Sequence, residues 1–153
     1  VRLAAVIALG LVLIGAVFYV FKGGASGPER ISLRAGDREI AAMGAKVYAA
    51  NCASCHGADL EGQPDWRSRD PDGRLPAPPH DETGHTWHHD GDTLFQLTKN
   101  GIGQMIGDPD YVSDMPAFGD VLTDKEIIAA LSFIKSRWPQ NIRTRHDDME
   151  NQQ

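Results

Sequence analysis

The 153-residue sequence has no surplus of positive charge, only two cysteines, no internal repeat and no alternating strand pattern. Each absence narrows the field. With 15 Lys and Arg against 21 Asp and Glu the formal charge is −6, and a surface of that sign disfavours nucleic acid and anionic lipid. Two cysteines cannot complete a four-thiolate zinc centre. Without strand alternation or a repeat period, helices and loops are left to build the globular part.

Charge of either sign is also missing from Leu3 to Phe21. At about 1.5 Å rise per residue, that apolar run is about long enough to cross a ~30 Å hydrocarbon core, so residues 1–22 are expected to form a single transmembrane anchor. A cleaved signal peptide has an apolar stretch of only about 7–15 residues and a small-x-small cleavage site, which Gly23-Gly24-Ala25-Ser26-Gly27 matches weakly. A buried core helix would need a polar face, which the run lacks. Arg2 and Lys22 flank the run and nearly cancel as an orientation signal. They are also the first two of the 15 basic residues, so residues 23–153 carry 13 basic against all 21 acidic groups, an excess of eight. Such a surface suits a basic docking face on a partner protein, and equally serves solubility. Residues 23–36, rich in glycine, are expected to be a flexible linker.

Three helices are legible beyond the linker. From Asp37 to Asn51, the residues Ile40, Met43, Gly44, Val47 and Tyr48 recur at helical spacing as one buried stripe. A shorter helix fits Asp92 to Asn100, where Asn100-Gly101 suits a left-handed C-cap. In the third, Thr123 and Glu126 form a capping box, Ile127, Leu131, Ile134 and Trp138 give the apolar face, and Pro139 prevents continuation. Gly44 would let this last helix approach the first closely. The intervening segment, Gly57 to Gly91, is rich in proline, aspartate and histidine and poor in aliphatic residues. So long a loop in a small domain calls for something besides a side-chain core to organise it.

Cys52-Ala53-Ser54-Cys55-His56 supplies a candidate. Cys-x-x-Cys-His is the signature of covalent haem attachment, with two thiols one helical turn apart for the two vinyl groups of one porphyrin edge and the adjacent imidazole for the iron. Zinc or thiol-redox chemistry also uses Cys-x-x-Cys, and histidines 80, 85, 88 and 89 could complete a zinc site. Neither accounts as well for the histidine that follows directly.

With Cys52-Ala53-Ser54-Cys55-His56-Gly57, Asp114-Met115-Pro116-Ala117-Phe118-Gly119 and the terminal Ile134-Lys135-Ser136-Arg137-Trp138-Pro139, the sequence resembles the class I cytochrome c family, in particular the small monohaem domains of bacterial respiratory chains. The resemblance spans residues 37–139, leaving residues 140–153 as a polar C-terminal tail. It implies an all-α cytochrome c fold wrapped around one covalent haem c, with the first and last helices crossing. It further implies attachment outside the cytoplasm. The expected location is therefore the inner membrane, single-pass, with the lipid bilayer contacted through residues 3–21 and the haem domain on the periplasmic side.

The resemblance implies electron transfer rather than catalysis. The expected partners are membrane-bound complexes, a quinol:cytochrome c reductase as donor and a terminal oxidase as acceptor, in a respiratory or photosynthetic chain. A fixed haem relay subunit of a larger membrane oxidoreductase is the alternative, and a haem-based ligand sensor a third reading. Cys52 and Cys55 would hold the haem, and His56 would be one axial ligand. Met115, on a loop before the last helix and followed by Pro116, matches the family's axial methionine. Met105 in a glycine-rich turn is the runner-up; Met43 and Met149 are poorly placed. A thioether opposite imidazole stabilises ferrous iron and leaves no open coordination position, which suits a carrier. Pro78 matches the family position whose carbonyl accepts the axial histidine's Nδ1–H. Trp87 has an indole N–H suited to a haem propionate and a ring suited to cover the porphyrin edge. The cluster His85, His88 and His89 offers a second imidazole ligand, an adventitious metal site, or simply polar loop groups.

Overall fold

The computed structural model describes residues 30–152, so the expected transmembrane segment lies outside the described residues. Among the described residues no strand occurs, and no helix is long and apolar enough to cross a membrane. The helices are α1 (Arg38–Asn51), α2 (Ala53–His56), α3 (Gly91–Asn100), α4 (Ile102–Ile106), α5 (Asp124–Arg137) and α6 (Gln140–Asn151), with a 3-10 turn at Thr86–His88.

Local chemistry sets most of the boundaries. Asp37 caps α1 by accepting the N–H groups of Glu39 and Ile40 at 3.0 and 3.1 Å, and Asp90 caps α3 through Thr93 N–H at 2.7 Å. Gly101 ends α3 with φ 81° and ψ 159°, a positive φ but not the left-handed helical well. The capping box of α5 is complete, with Thr123 and Glu126 each bonding the other's backbone N–H. Pro139 restricts Trp138 to an extended conformation, which stops α5.

The core lies where α1 crosses α5. Tyr48 of α1 packs with Ile127, Leu131, Ile134 and Trp138 from the α5 side, joined by Leu94 and Phe95 of α3. Gly44 makes the crossing possible, since a Cβ at that position would lie 1.9 Å from the Ala129 carbonyl oxygen. Met43 does not share the buried stripe and is 37% exposed, because helix α5 covers the Gly44–Tyr48 face.

Two segments differ from the sequence expectation. Part of the linker, from Ile31 onward, is docked: Leu33 is buried, Ile31 N–H donates to Asp92 Oδ1 at 2.9 Å, and Arg34 N–H donates to Ser132 Oγ at 3.0 Å. Within the expected polar tail, Gln140–Asn151 form α6, which lies against the domain. Its His146 is fully buried and donates from Nε2 to the His89 carbonyl at 2.9 Å, while Lys135 of α5, also buried, reaches Asp147 and Glu150 at 2.6 and 3.0 Å. A buried ammonium persists only when paired, and two carboxylates satisfy it.

The long loop is ordered by its own backbone. Gln63 and Ala77 exchange hydrogen bonds, Ala77 N–H going to the Gln63 side chain, and Leu60 O accepts from His80 N–H at 2.8 Å and Asp81 N–H at 3.2 Å. Leu60 is buried with φ 71°, a conformation that only firm packing maintains in a side chain of this kind. Trp138 Nε1 donates to the His80 carbonyl at 2.7 Å, fastening the loop to the end of α5.

Candidate haem site

The end of α1 presents the haem motif. Cys52 N–H closes the last turn on Tyr48 O at 2.8 Å, and α2 follows as a single turn that returns His56 N–H to Cys52 O at 2.9 Å. Cys55 is exposed and Cys52 half-buried. Burial, then the neighbouring Cys55, pushes the Cys52 thiol up to about 11, so at neutral pH it stays a protonated thiol.

His56 is buried, and its Nδ1 lies 2.9 Å from the Pro78 carbonyl oxygen. A carbonyl only accepts, so Nδ1 carries the hydrogen and, in the neutral ring, Nε2 holds a free lone pair. Burial lowers the His56 pKa more than the Pro78 bond raises it, which favours that neutral ring. Pro78 itself is held by close packing, because Gly62, at φ 68°, presses against the Pro78–Pro79 peptide at a distance that no Cβ would allow.

The sequence offers His80 only as a candidate zinc ligand and gives no signal of its place beside His56. His80 stacks on His56 with ring centroids 4.0 Å apart and 21° between planes, and its Nδ1 lies 2.8 Å from Thr86 Oγ1. Its pKa is pushed well below the ordinary value, first by burial and then by His56. Tyr48 supports the same corner by donating to the Gly57 carbonyl at 2.8 Å. Such contacts link distant residues and leave no periodicity to read.

Met115 and Met105 belong to one folded segment. Gly103 O accepts from Asp108 N–H at 2.9 Å, and Gly101 lies beside Ala117. Beyond Met115, Phe118 N–H donates to Thr98 O at 3.0 Å and Gly119 N–H to Lys99 O at 2.9 Å, which ties the segment to α3. Both thioethers are well exposed, as are Ile106 and Val112 of the same segment and Leu75 of the long loop.

The histidine cluster is engaged in ring stacking. His85 lies against Trp66 at 5.3 Å and 12° and meets His89 edge-on, while His88 stacks on Trp87 at 3.8 Å. Of these loop histidines, His80 is the one whose ring stacks on His56. Trp87 also lies beneath the Arg145 guanidinium of α6, 5.2 Å from ring centroid to cation. Its indole N–H is buried without a hydrogen-bond partner among the described residues.

These residues fit haem c. Two thiols one turn apart, an imidazole with its Nε2 lone pair free, exposed apolar side chains with thioether donors, and a buried unpartnered indole N–H match a covalently held, apolar macrocycle with anionic propionates.

Residues 39–134 match the family described as cytochrome c oxidase, cbb3-type, subunit III. Two relatives are cbb3-type cytochrome c oxidase subunits FixP. The one from Azorhizobium caulinodans is 31% identical over 101 residues, covering 65% of this chain and 28% of the relative. The one from Sinorhizobium medicae is 26% identical over 93 residues, covering 61% and 28%. The chain thus spans little more than a quarter of the length of either relative. No solved structure matches it. The chain therefore belongs to the cytochrome c family of cbb3-type oxidase subunit III, and its cofactor is covalently bound haem c.

Proposed function

We propose that this chain is a membrane-anchored, class I monohaem cytochrome c that passes single electrons between a quinol-oxidising complex and a terminal oxidase. The observation that carries the reading is the His56–Pro78 bond directly after the cysteine pair. It fixes the ring tautomer, orients Nε2 and raises its donor strength. Bound haem supplies the Fe(II)/Fe(III) couple. Cys52 and Cys55 would hold the group, His56 and Met115 would ligate its iron, and Trp87 would donate to a propionate. Residues 1–22 anchor the domain on the periplasmic side of the inner membrane.

The second reading, a fixed relay subunit of a larger membrane oxidoreductase, is supported by the family match and by the docking of Leu33, which shortens the free tether. Salt separates the two. Exposed charges are screened over about 8–10 Å at ordinary ionic strength, whereas a permanent subunit is held mainly by buried apolar contact. For a mobile carrier, electron transfer from the purified donor complex slows steadily as salt rises. A salt-independent rate, in a chain that copurifies with an oxidase in fixed stoichiometry, would establish the subunit reading instead.

A further inference from the structure

The aspartate- and arginine-rich part of the long loop folds as a small unit with a definite target. Asp70 N–H donates to Arg74 O at 2.9 Å, Gly73 N–H to Asp70 O at 3.0 Å, and Arg74 N–H to Asp70 Oδ1 at 2.8 Å. The Arg69 guanidinium closes the turn on the Gly73 carbonyl. Two cations leave this turn in the same direction. Arg74 Nε lies 3.2 Å from Asp114 Oδ1, and the Arg69 guanidinium carbon lies 5.7 Å from the Tyr111 ring centroid. Both targets sit in the four residues immediately before Met115.

The Met115 segment is held unequally from its two sides. On the C-terminal side, two backbone bonds to α3 fix Phe118 and Gly119. On the N-terminal side, the bonds of Tyr111 to Asp108 and of Met115 N–H to Ser113 Oγ are internal to the segment itself. Among the described residues, Arg69 and Arg74 reach across to it from the long loop. Arg74 Nε is shielded from solvent yet out of line for a hydrogen bond, so its contact with Asp114 is a charge pairing. Asp114 is 68% exposed, which leaves the pairing open to salt.

We propose that Arg74, aided by Arg69, is a positioning residue that clasps the 111–114 segment and so holds Met115 in place as sixth ligand, making that ligation sensitive to ionic strength. The proposal rests on Met115 as the axial ligand. The turn's internal bonds keep 69–74 folded without Asp114, so the pairing acts on the methionine segment rather than on the turn. An exposed pair of this kind is worth little by folding standards, and it should change the competition between Met115 and an external ligand by about twofold to fivefold.

The test uses the full-length, haem-loaded protein in detergent, with imidazole as the competing ligand. Ferric samples of wild type, Arg74→Gln, Arg74→Lys, Arg69→Gln and Met115→Ala are titrated at low and high salt, following loss of the weak far-red Fe–S band. Arg74→Gln should bind imidazole about twofold to fivefold more tightly than wild type at low salt. Arg74→Lys should recover part of the difference, and high salt should bring wild type to the Arg74→Gln value. If Met115→Ala removes the far-red band while Arg74→Gln leaves imidazole affinity unchanged, the clasp is refuted and the ligand stands. If Met115→Ala keeps the band, the ligand assignment fails and the clasp fails with it. Should Met105→Ala then remove the band, Met105 is the ligand.

Discussion

Replacing Gly44 with alanine tests the crossing on which the site is built. The added Cβ would fall 1.9 Å from Ala129 O, 2.5 Å from Ala129 C and 2.9 Å from Phe133 Cβ. Ordinary contact begins near 3.4 Å, and the nearest atom is backbone, so α5 must withdraw by about 1.5 Å. Overpacking of this kind costs about 1–3 kcal/mol, and a displaced helix backbone belongs at the upper end. Alanine in place of glycine returns about 1 kcal/mol of helix propensity. The net loss is about 1–2 kcal/mol, and for a domain of this size each kcal/mol lowers Tm by about 3–6 °C. Thermal unfolding of the haem-loaded protein, followed by Soret circular dichroism, measures it. Ala42→Gly, at an exposed position of the same helix, is the control, because it should lose about 1 kcal/mol through propensity alone. The two substitutions thus run against each other in propensity but both destabilise. A Gly44→Ala protein that melts at or above the wild-type temperature would refute the close approach.

Two further outcomes follow from the same geometry. Changing Cys52 and Cys55 to serine should abolish the single haem adduct seen by mass spectrometry after denaturation; a wild-type chain of unmodified mass would contradict the motif reading. His146 is held below the ordinary value of 6.5, first by burial and then by Lys135, against the opposing pull of Glu150, the His89 carbonyl and Asp147. Its neutral form is therefore preferred in the folded state, and its contribution to stability is present above about pH 6.5 and lost as pH falls through the folded value. His146→Gln keeps a donor for the His89 carbonyl and removes the titration, so urea unfolding from pH 7 to pH 5 should decline less steeply than in wild type. A wild type that gained stability relative to the variant on acidification would reverse the sign.

What was legible in the sequence was local. Helices α1, α3 and α5 follow from capping residues and apolar spacing, and the Gly44 approach follows from one small residue inside a buried stripe. The covalent haem follows from five consecutive residues. Long-range pairings gave no such signal. Helix α6 has almost no apolar face and is held by His146 and by the carboxylates around Lys135, a residue that reads in sequence as an ordinary basic group in the last turn of α5. Leu33 sits in a stretch with the composition of a tether, and its burial depends on a core supplied by distant helices. Pro78 enters by resemblance, whereas the Gly62 contact at the Pro78–Pro79 peptide and the Leu60 bonds to His80 and Asp81 beside it join residues sixteen or more positions apart.

The fastening of the long loop also sets an order of assembly. The loop that orients His56 is secured at His80 by Trp138 and at His89 by His146, both far downstream of the cysteine pair. A polypeptide is made and delivered from its N-terminus, so Cys52, Cys55 and His56 emerge some eighty residues ahead of the groups that lock the loop around them. During that interval the cysteine pair stands in an unclosed site, accessible to the machinery that joins haem to thiol. Closure then comes with a segment that arrives later, and a chain cut short before Trp138 would keep its attachment motif while losing the bolt that seals it.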